Sequence, residues 1–247
     1  MKLLRKQIQI KEVIRIPRRF VMKWRIRINL LLIFVCIFTS VFSWMWVRKT
    51  LANEVKELQP VEIKEYEGEK LSSSKTGFRE NSIRGAQYVK KENYQLEIAG
   101  LVKSPLTYTC DEVLTYDQYK KVVTLNCVEG WSATVLWEGV LVRDVIANAG
   151  VLPQAKVVIF YAYDGYSTSF PLEYILDNDI IMAHKMNGIA LRPERGFPFA
   201  LIAEEKWGYK WIKWITKIEL SDDVDYQGYW ESRGYANTGD LDKSFLD

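Results

Sequence analysis

Histidine is almost missing from this chain: among 247 residues there is one, His184. Cysteine is scarce as well, with Cys36, Cys110 and Cys127. No CxxC, CxxCH or HExxH pattern occurs, so ordinary zinc sites and histidine-based triads are excluded. Haem-attachment and iron–sulfur motifs are missing too. Cys110 and Cys127 could form one bridge, which is no disulfide framework. No internal repeat is evident.

What is present reads as a globular chain with a separate leader. Apolar residues make up 48% and charged residues 26%, a balance that builds a core. The formal net charge of +3 hides an asymmetry. Residues 1–27 hold ten Lys/Arg and one acid, Glu12, and Arg48 and Lys49 follow later. Residues 50–247 carry 22 basic and 30 acidic side chains, a net of −8. An acidic body disfavours nucleic acid, because phosphate binding needs a basic surface.

Between the basic blocks, Ile28 to Val47 contains no formal charge. Twenty residues of helix reach about 30 Å, the thickness of a bilayer's hydrocarbon. Trp44 and Trp46 stand at the far end, where indoles favour the interface. The basic excess before the segment predicts a cytoplasmic N-terminus (1–27), a retained anchor (28–47) and an extracytoplasmic body. The alternatives are a buried globular helix or a cleaved signal, for which Leu51-Ala52 is a poor site. Pro17-Arg18-Arg19-Phe20-Val21-Met22-Lys23 is similar to a twin-arginine export signal; an ordinary positive-inside block reads the same way. Residues 48–82 are polar and charged, and are expected to form a stalk or linker. The folded domain is expected over 83–247.

Along that domain, Tyr94, Leu96 and Ile98 alternate as one face of a strand. Thr109 and Glu112 have capping-box spacing, which predicts a short helix to about Tyr119. Lys121 to Asn126 reads as a strand. Trp137 to Val140 reads as a turn into a helix whose apolar face is Leu141, Val145, Ile146 and Ala149, stopped at Gly150. Lys156 to Ala162 is an apolar strand, and Asp164-Gly165 a turn. Ile180 to Met186, Asn187-Gly188 and Ile189 to Leu191 form a hairpin signature. Lys210 to Leu220 alternates, with Ile212, Trp214, Thr216, Ile218 and Leu220 as the core face. Short helices among many strands predict an α+β fold.

Cys127 ends one of these strands, beside Gly130 and Trp131. By residue type it is either a ligand or a buried small apolar side chain. Its neighbours carry a resemblance. Cys127-Val128-Glu129-Gly130-Trp131-Ser132 and Trp137-Glu138-Gly139-Val140 are similar to the cofactor loop of the sulfite oxidase family of molybdenum enzymes. Asp164-Gly165-Tyr166, Asn187-Gly188, Gly196-Phe197-Pro198 and Trp207 to Trp214 follow in that family's order, and the likeness spans about residues 83–235. It leans toward the bacterial branch that contains protein-methionine-sulfoxide reductase catalytic subunits.

The resemblance implies a sulfite-oxidase-like fold of mixed sheets with short helices, holding a molybdenum–molybdopterin cofactor. It implies Cys127 as the molybdenum ligand and the catalytic thiolate. It implies that Trp211, Ile212 and Lys213 touch the pterin or its phosphate; by residue type alone, Lys213 is equally a solvated lysine on a strand face. Relatives carry an arginine where this chain has Ala200, so Arg192, Arg195 or Lys210 is expected to compensate. The arginines that hold a dianion in sulfite-oxidising relatives are not recognisable. The implied activity is oxygen-atom transfer, with sulfoxide-type reduction first and oxidation of a small anion such as sulfite second. Electrons would come from a membrane quinone-linked haem protein or a cytochrome. The alternative is an anchored binding module without catalysis. Glu129 and Asp164 are candidate proton donors beside turn roles, and Trp131 and Tyr166 candidate pocket walls beside core packing. His184 is expected to be a satisfied structural histidine and Cys110 a structural cysteine.

Overall fold

The computed structural model describes residues 36–45, 61–76 and 78–246. The chain divides into two units, 1–59 and 60–247. In the first, residues 36–45 are helical and exposed. Half of the expected anchor, 28–47, lies outside the described residues, as does the arginine pair. Among the described residues, no helix is long and apolar enough to cross a membrane.

The second unit is built on strands. A two-stranded ribbon pairs β1 (Glu65–Tyr66) with β2 (Glu69–Lys70). The next strands in the chain are β3 (Gln95–Gly100), β4 (Leu106–Thr109), β5 (Tyr119–Asn126) and β6 (Ser132–Leu141). After them come β7 (Val157–Ala162), β8 (Ser167–Pro171), β9 (Ile181–Met186) and β10 (Ile189–Ala190). The last two are β11 (Ala200–Ile202) and β12 (Ile215–Ser221). One five-stranded sheet runs β4-β3-β12-β7-β8, and the other runs β10-β9-β6-β5 with β11 on β9. β3 and β12 pair in parallel, which makes the first sheet mixed. Three short helices, Cys110–Val113, Val142–Ala147 and Leu172–Asp177, cover connections.

The period-2 pattern predicts the first sheet's core well. Tyr94, Leu96 and Ile98 are all buried, and they meet Val158, Phe160, Ile218 and Leu220 in one cluster. At roughly 1.5–3 kcal/mol for each large apolar side chain buried, this face is the main stabiliser of the sheet. In the expected hairpin, β9 and β10 pair across Asn187-Gly188, and both turn residues have positive φ (49° and 79°). That is the two-residue geometry whose twist matches the strands. The capping box forms with Thr109 and Glu112 reciprocally bonded.

Three expectations need correction. The capped helix ends at Val113, not near Tyr119, because Tyr119 already pairs with Gly139 in the β5–β6 ladder. Trp137 to Val140 is strand, with a bulge between Glu138 and Gly139. A Cβ on Gly139 would fall on the Met182 carbonyl oxygen, so glycine there permits strand approach and makes no turn. The strand near the end starts at Ile215, and a bulge between Ile215 and Lys217 puts Ile215 in the core, where alternation put Thr216.

Residues 61–76 and 78–82, read from composition as linker, pack on this unit. Asn187 is fully buried and its side chain accepts from Leu136 N (3.1 Å) while donating to Glu62 (2.9 Å) and to the Ser72 carbonyl (2.8 Å). Glu62 also accepts from the Ser74 amide. A charged, serine-rich stretch can be ordered by buried polar partners that composition does not reveal.

Candidate active site

Cys127 follows directly on β5. Its amide donates to the Trp131 carbonyl (2.9 Å) and its carbonyl accepts from Gly130 N (3.0 Å), with Gly130 at φ +82°. This tight loop fixes where the thiol emerges. Asn126 bridges in parallel to Trp207, and Gly208 comes so close that a Cβ there would stand 3.4 Å from Cys127 Cα. Chain segments distant in sequence therefore meet at the end of β5.

They enclose a cavity of about 430 Å³. Cys127 is 8% exposed and lines it together with Trp131, Tyr166 and Ala200. Trp211, Ile212 and Lys213 form one wall, and segment 78–83 forms another. Trp137 and Trp211 pack at 5.9 Å, and the Trp211 indole donates to the Lys206 carbonyl (3.0 Å). The Tyr166 hydroxyl donates to the Tyr209 carbonyl. Phe78 and Trp131 meet edge to face at 5.7 Å.

Asn81 Nδ2 stands 3.7 Å from the Cys127 Sγ, within hydrogen-bond range of sulfur. Burial pushes the Cys127 thiol up. The Glu129 charge adds to that, while the Glu129 amide, Asn81 and Arg79 pull it down. The net direction is upward, so the thiolate needs a positive centre to form. Among the described residues, no cluster of three or more His, Cys, Asp or Glu could hold a metal ion. One thiolate cannot hold a free cation; a metal here must bring its other ligands. A molybdenum held by a pterin fits that donor set, because thiolate is a soft ligand. Lys213 on the same cavity suits an anionic cofactor tail.

Of the expected site residues, Cys127, Trp211, Ile212, Lys213 and Arg195 meet around this cavity. Lys210 does not. Its side chain is fully buried, its ammonium binds Glu231 (2.7 Å) and the Asn237 carbonyl (2.8 Å), and it lies over the Phe170 ring. A lysine inside an apolar shell needs such partners, which removes it from any cofactor phosphate. Arg195 also departs from its expected role. Its guanidinium donates to the carbonyls of Ser74 (3.4 Å), Phe78 (3.2 Å) and Arg79 (3.4 Å) and lies 4.7 Å from the Phe78 ring.

Asp164 is buried and caps the Tyr166 amide (3.0 Å), a turn role. Glu129 accepts from the Trp131 indole (3.2 Å) and faces Arg79 at 3.9 Å. His184 contacts Gln118 at 2.7 Å; burial, then Lys185, pull its imidazole down to about 4. Cys110 and Cys127 are both free thiols. The residues that sequence reasoning missed are Phe78, Arg79, Glu80 and Asn81. They sit in the stretch read as linker, and no periodicity marks them.

The oxidoreductase molybdopterin-binding domain family matches residues 84–230. The chain belongs to this family. It is a molybdopterin-dependent oxidoreductase, and its fold is the sulfite-oxidase-like one. An uncharacterized oxidoreductase, YuiH, of Bacillus subtilis (strain 168) is 32% identical over 154 residues, 62% of this chain and 77% of that protein. The protein-methionine-sulfoxide reductase catalytic subunit MsrP of Campylobacter jejuni is 28% identical over 198 residues, 71% of this chain and 66% of that one. The crystal structure of the sulfane dehydrogenase SoxCD from Paracoccus pantotrophus superposes with a TM-score of 0.55 at 28% identity. That match covers 57% of this chain and 42% of the other. The alignments thus span about two thirds to three quarters of the two bacterial relatives and under half of the solved structure.

Proposed function

We propose that this molybdopterin-dependent oxidoreductase reduces S-oxides by oxygen-atom transfer, outside the cytoplasm and anchored through residues 28–47. The observation that carries the substrate reading is the poverty of free cations in the cavity. Its arginines are Arg79 and Arg195, and Arg195 is committed to three carbonyls. Arg79 faces Glu129. A dianion such as sulfite would find little to hold it, whereas a neutral, polarisable sulfoxide suits aromatic walls. The name of the Campylobacter jejuni relative points the same way.

When bound, the molybdenum group supplies a two-electron couple that takes up or gives up an oxygen atom. Cys127 would hold it through Sγ, with Asn81 orienting the sulfur. Trp211 and Ile212, which line the same cavity, would wall the pterin, and Lys213 would hold its anionic end. Phe78 and Trp131, both on the cavity wall, would give the substrate's sulfur aromatic surface and exclude water. The overall reaction consumes two electrons and two protons for each sulfoxide reduced to sulfide and water. Glu129, with its side chain 46% exposed, can pass protons from solvent. Electrons would come from a membrane quinone-linked haem protein or a cytochrome, since the chain has no redox motif besides this cavity.

The test is a screen on the purified full chain. Reduced dye is offered with protein and small-molecule S-oxides, N-oxides and nitrate, and sulfite oxidation is measured in parallel. The reading expects the highest kcat/KM on an S-oxide. Sulfite oxidation faster than every reduction would overturn it.

A further inference from the structure

Lys213 is held rigidly by its own surroundings. Its main chain bridges to Ala200. A Cβ on Gly196 would approach Lys213 Cβ at 3.0 Å and Cγ at 3.1 Å, so the lysine stem runs in a slot that exists because residue 196 is glycine. The ammonium lies 4.5 Å from the Trp214 ring and 3.4 Å from the Glu194 carbonyl. The slot keeps the cation at the cavity whatever its charged partner.

That partner is Glu80, whose carboxylate stands 2.9 Å from Lys213 Nζ. Glu80 belongs to cavity-lining segment 78–83, next to Asn81 at the Cys127 thiol. The start of this segment is fastened separately, by Arg195 on the carbonyls of Phe78 and Arg79. Glu80 can therefore leave Lys213 without unfastening the segment.

We infer that Glu80 is a built-in competitor for the cofactor's anionic end: it occupies Lys213 before loading and yields the lysine to the incoming anion. This rests on reading the cavity as the cofactor site. The charge balance supports the exchange. Burial pulls the Lys213 ammonium down, and the Glu80 hydrogen bond and charge only partly restore it. Burial pushes the Glu80 carboxyl up, but Lys213, Ser82 and Arg195 outweigh it and hold the group below its usual range. Glu80 thus stays ionised while leaving Lys213 under-compensated. A phosphate brings more charge and more acceptor atoms to the same ammonium.

The test uses the full chain purified from a host unable to make molybdopterin, with inorganic phosphate as the probe in calorimetric titrations. Partly exposed ion pairs are worth about 0.2–1 kcal/mol, so E80Q should bind phosphate roughly 1.4- to 5-fold more tightly than wild type. E80D, which keeps a shorter carboxylate, should fall between them, and K213M should lose saturable binding. Far-UV circular dichroism checks that each variant is folded; if E80Q is not, E80D alone must tighten binding. Binding lost in K213M but not tightened by either Glu80 variant would overturn this inference alone. Binding that survives K213M would overturn it together with the reading of the cavity.

Discussion

Replacing Lys210 by methionine removes one half of a pair whose side chains are both 0% exposed. Lys210 Nζ contacts Glu231 at 2.7 Å and the Asn237 carbonyl at 2.8 Å, and the same Glu231 oxygen accepts from Thr168 at 2.6 Å. In Lys210→Met, Glu231 keeps a buried charge with one hydroxyl as partner. Removing one member of such a pair costs about 3–5 kcal/mol. Domains of this kind have about 5–15 kcal/mol in total. Replacing both members, Lys210→Met with Glu231→Leu, removes the orphaned charge and should recover most of the loss, leaving roughly 1 kcal/mol. Urea unfolding followed by tryptophan fluorescence measures this. With a slope near 2 kcal/mol/M, the single variant's midpoint should fall by about 2 M and the double variant's by about 0.5 M. Equal or additive losses in the single and double variants would refute the reasoning, because they would mean that no stranded charge drives the effect.

Asn187→Ala deletes three hydrogen bonds, two of which hold residues 61–76; it should cost about 2–4 kcal/mol and expose Lys64 and Lys70 to trypsin, read by mass spectrometry of the fragments. His184 gives a pH signature. Its folded value of about 4 lies below the ordinary 6.5, so between those limits the unfolded chain takes up a proton that the folded chain refuses. Stability should fall as pH drops from 6.5 toward 4, and His184→Gln should flatten that slope in urea titrations.

The framework was legible where a single local rule governs. Alternation at Leu96 and Ile98, the reciprocal Thr109–Glu112 cap and the Asn187-Gly188 turn each have one physical solution. Elements shaped by distant partners were not legible. The bulges at Gly139 and after Ile215 answer to β9 and β7, and the short helix after Thr109 yields to the β5–β6 ladder. The site divides in the same way. Cys127 stands out through its motif, and Trp211 to Lys213 through theirs. Lys210 misleads because its partner, Glu231, is twenty-one residues away and buried. Glu80 and Asn81 were hidden in a charged stretch whose order depends on Arg195 and Asn187, both more than a hundred residues later.

The central claim is that Cys127 supplies a sulfur to molybdenum. X-ray absorption at the molybdenum edge, on the full chain from a molybdenum-replete host, tests it against the Cys127→Ser variant with matched pterin content. The account predicts one fewer sulfur ligand in the variant. An unchanged sulfur count would contradict it.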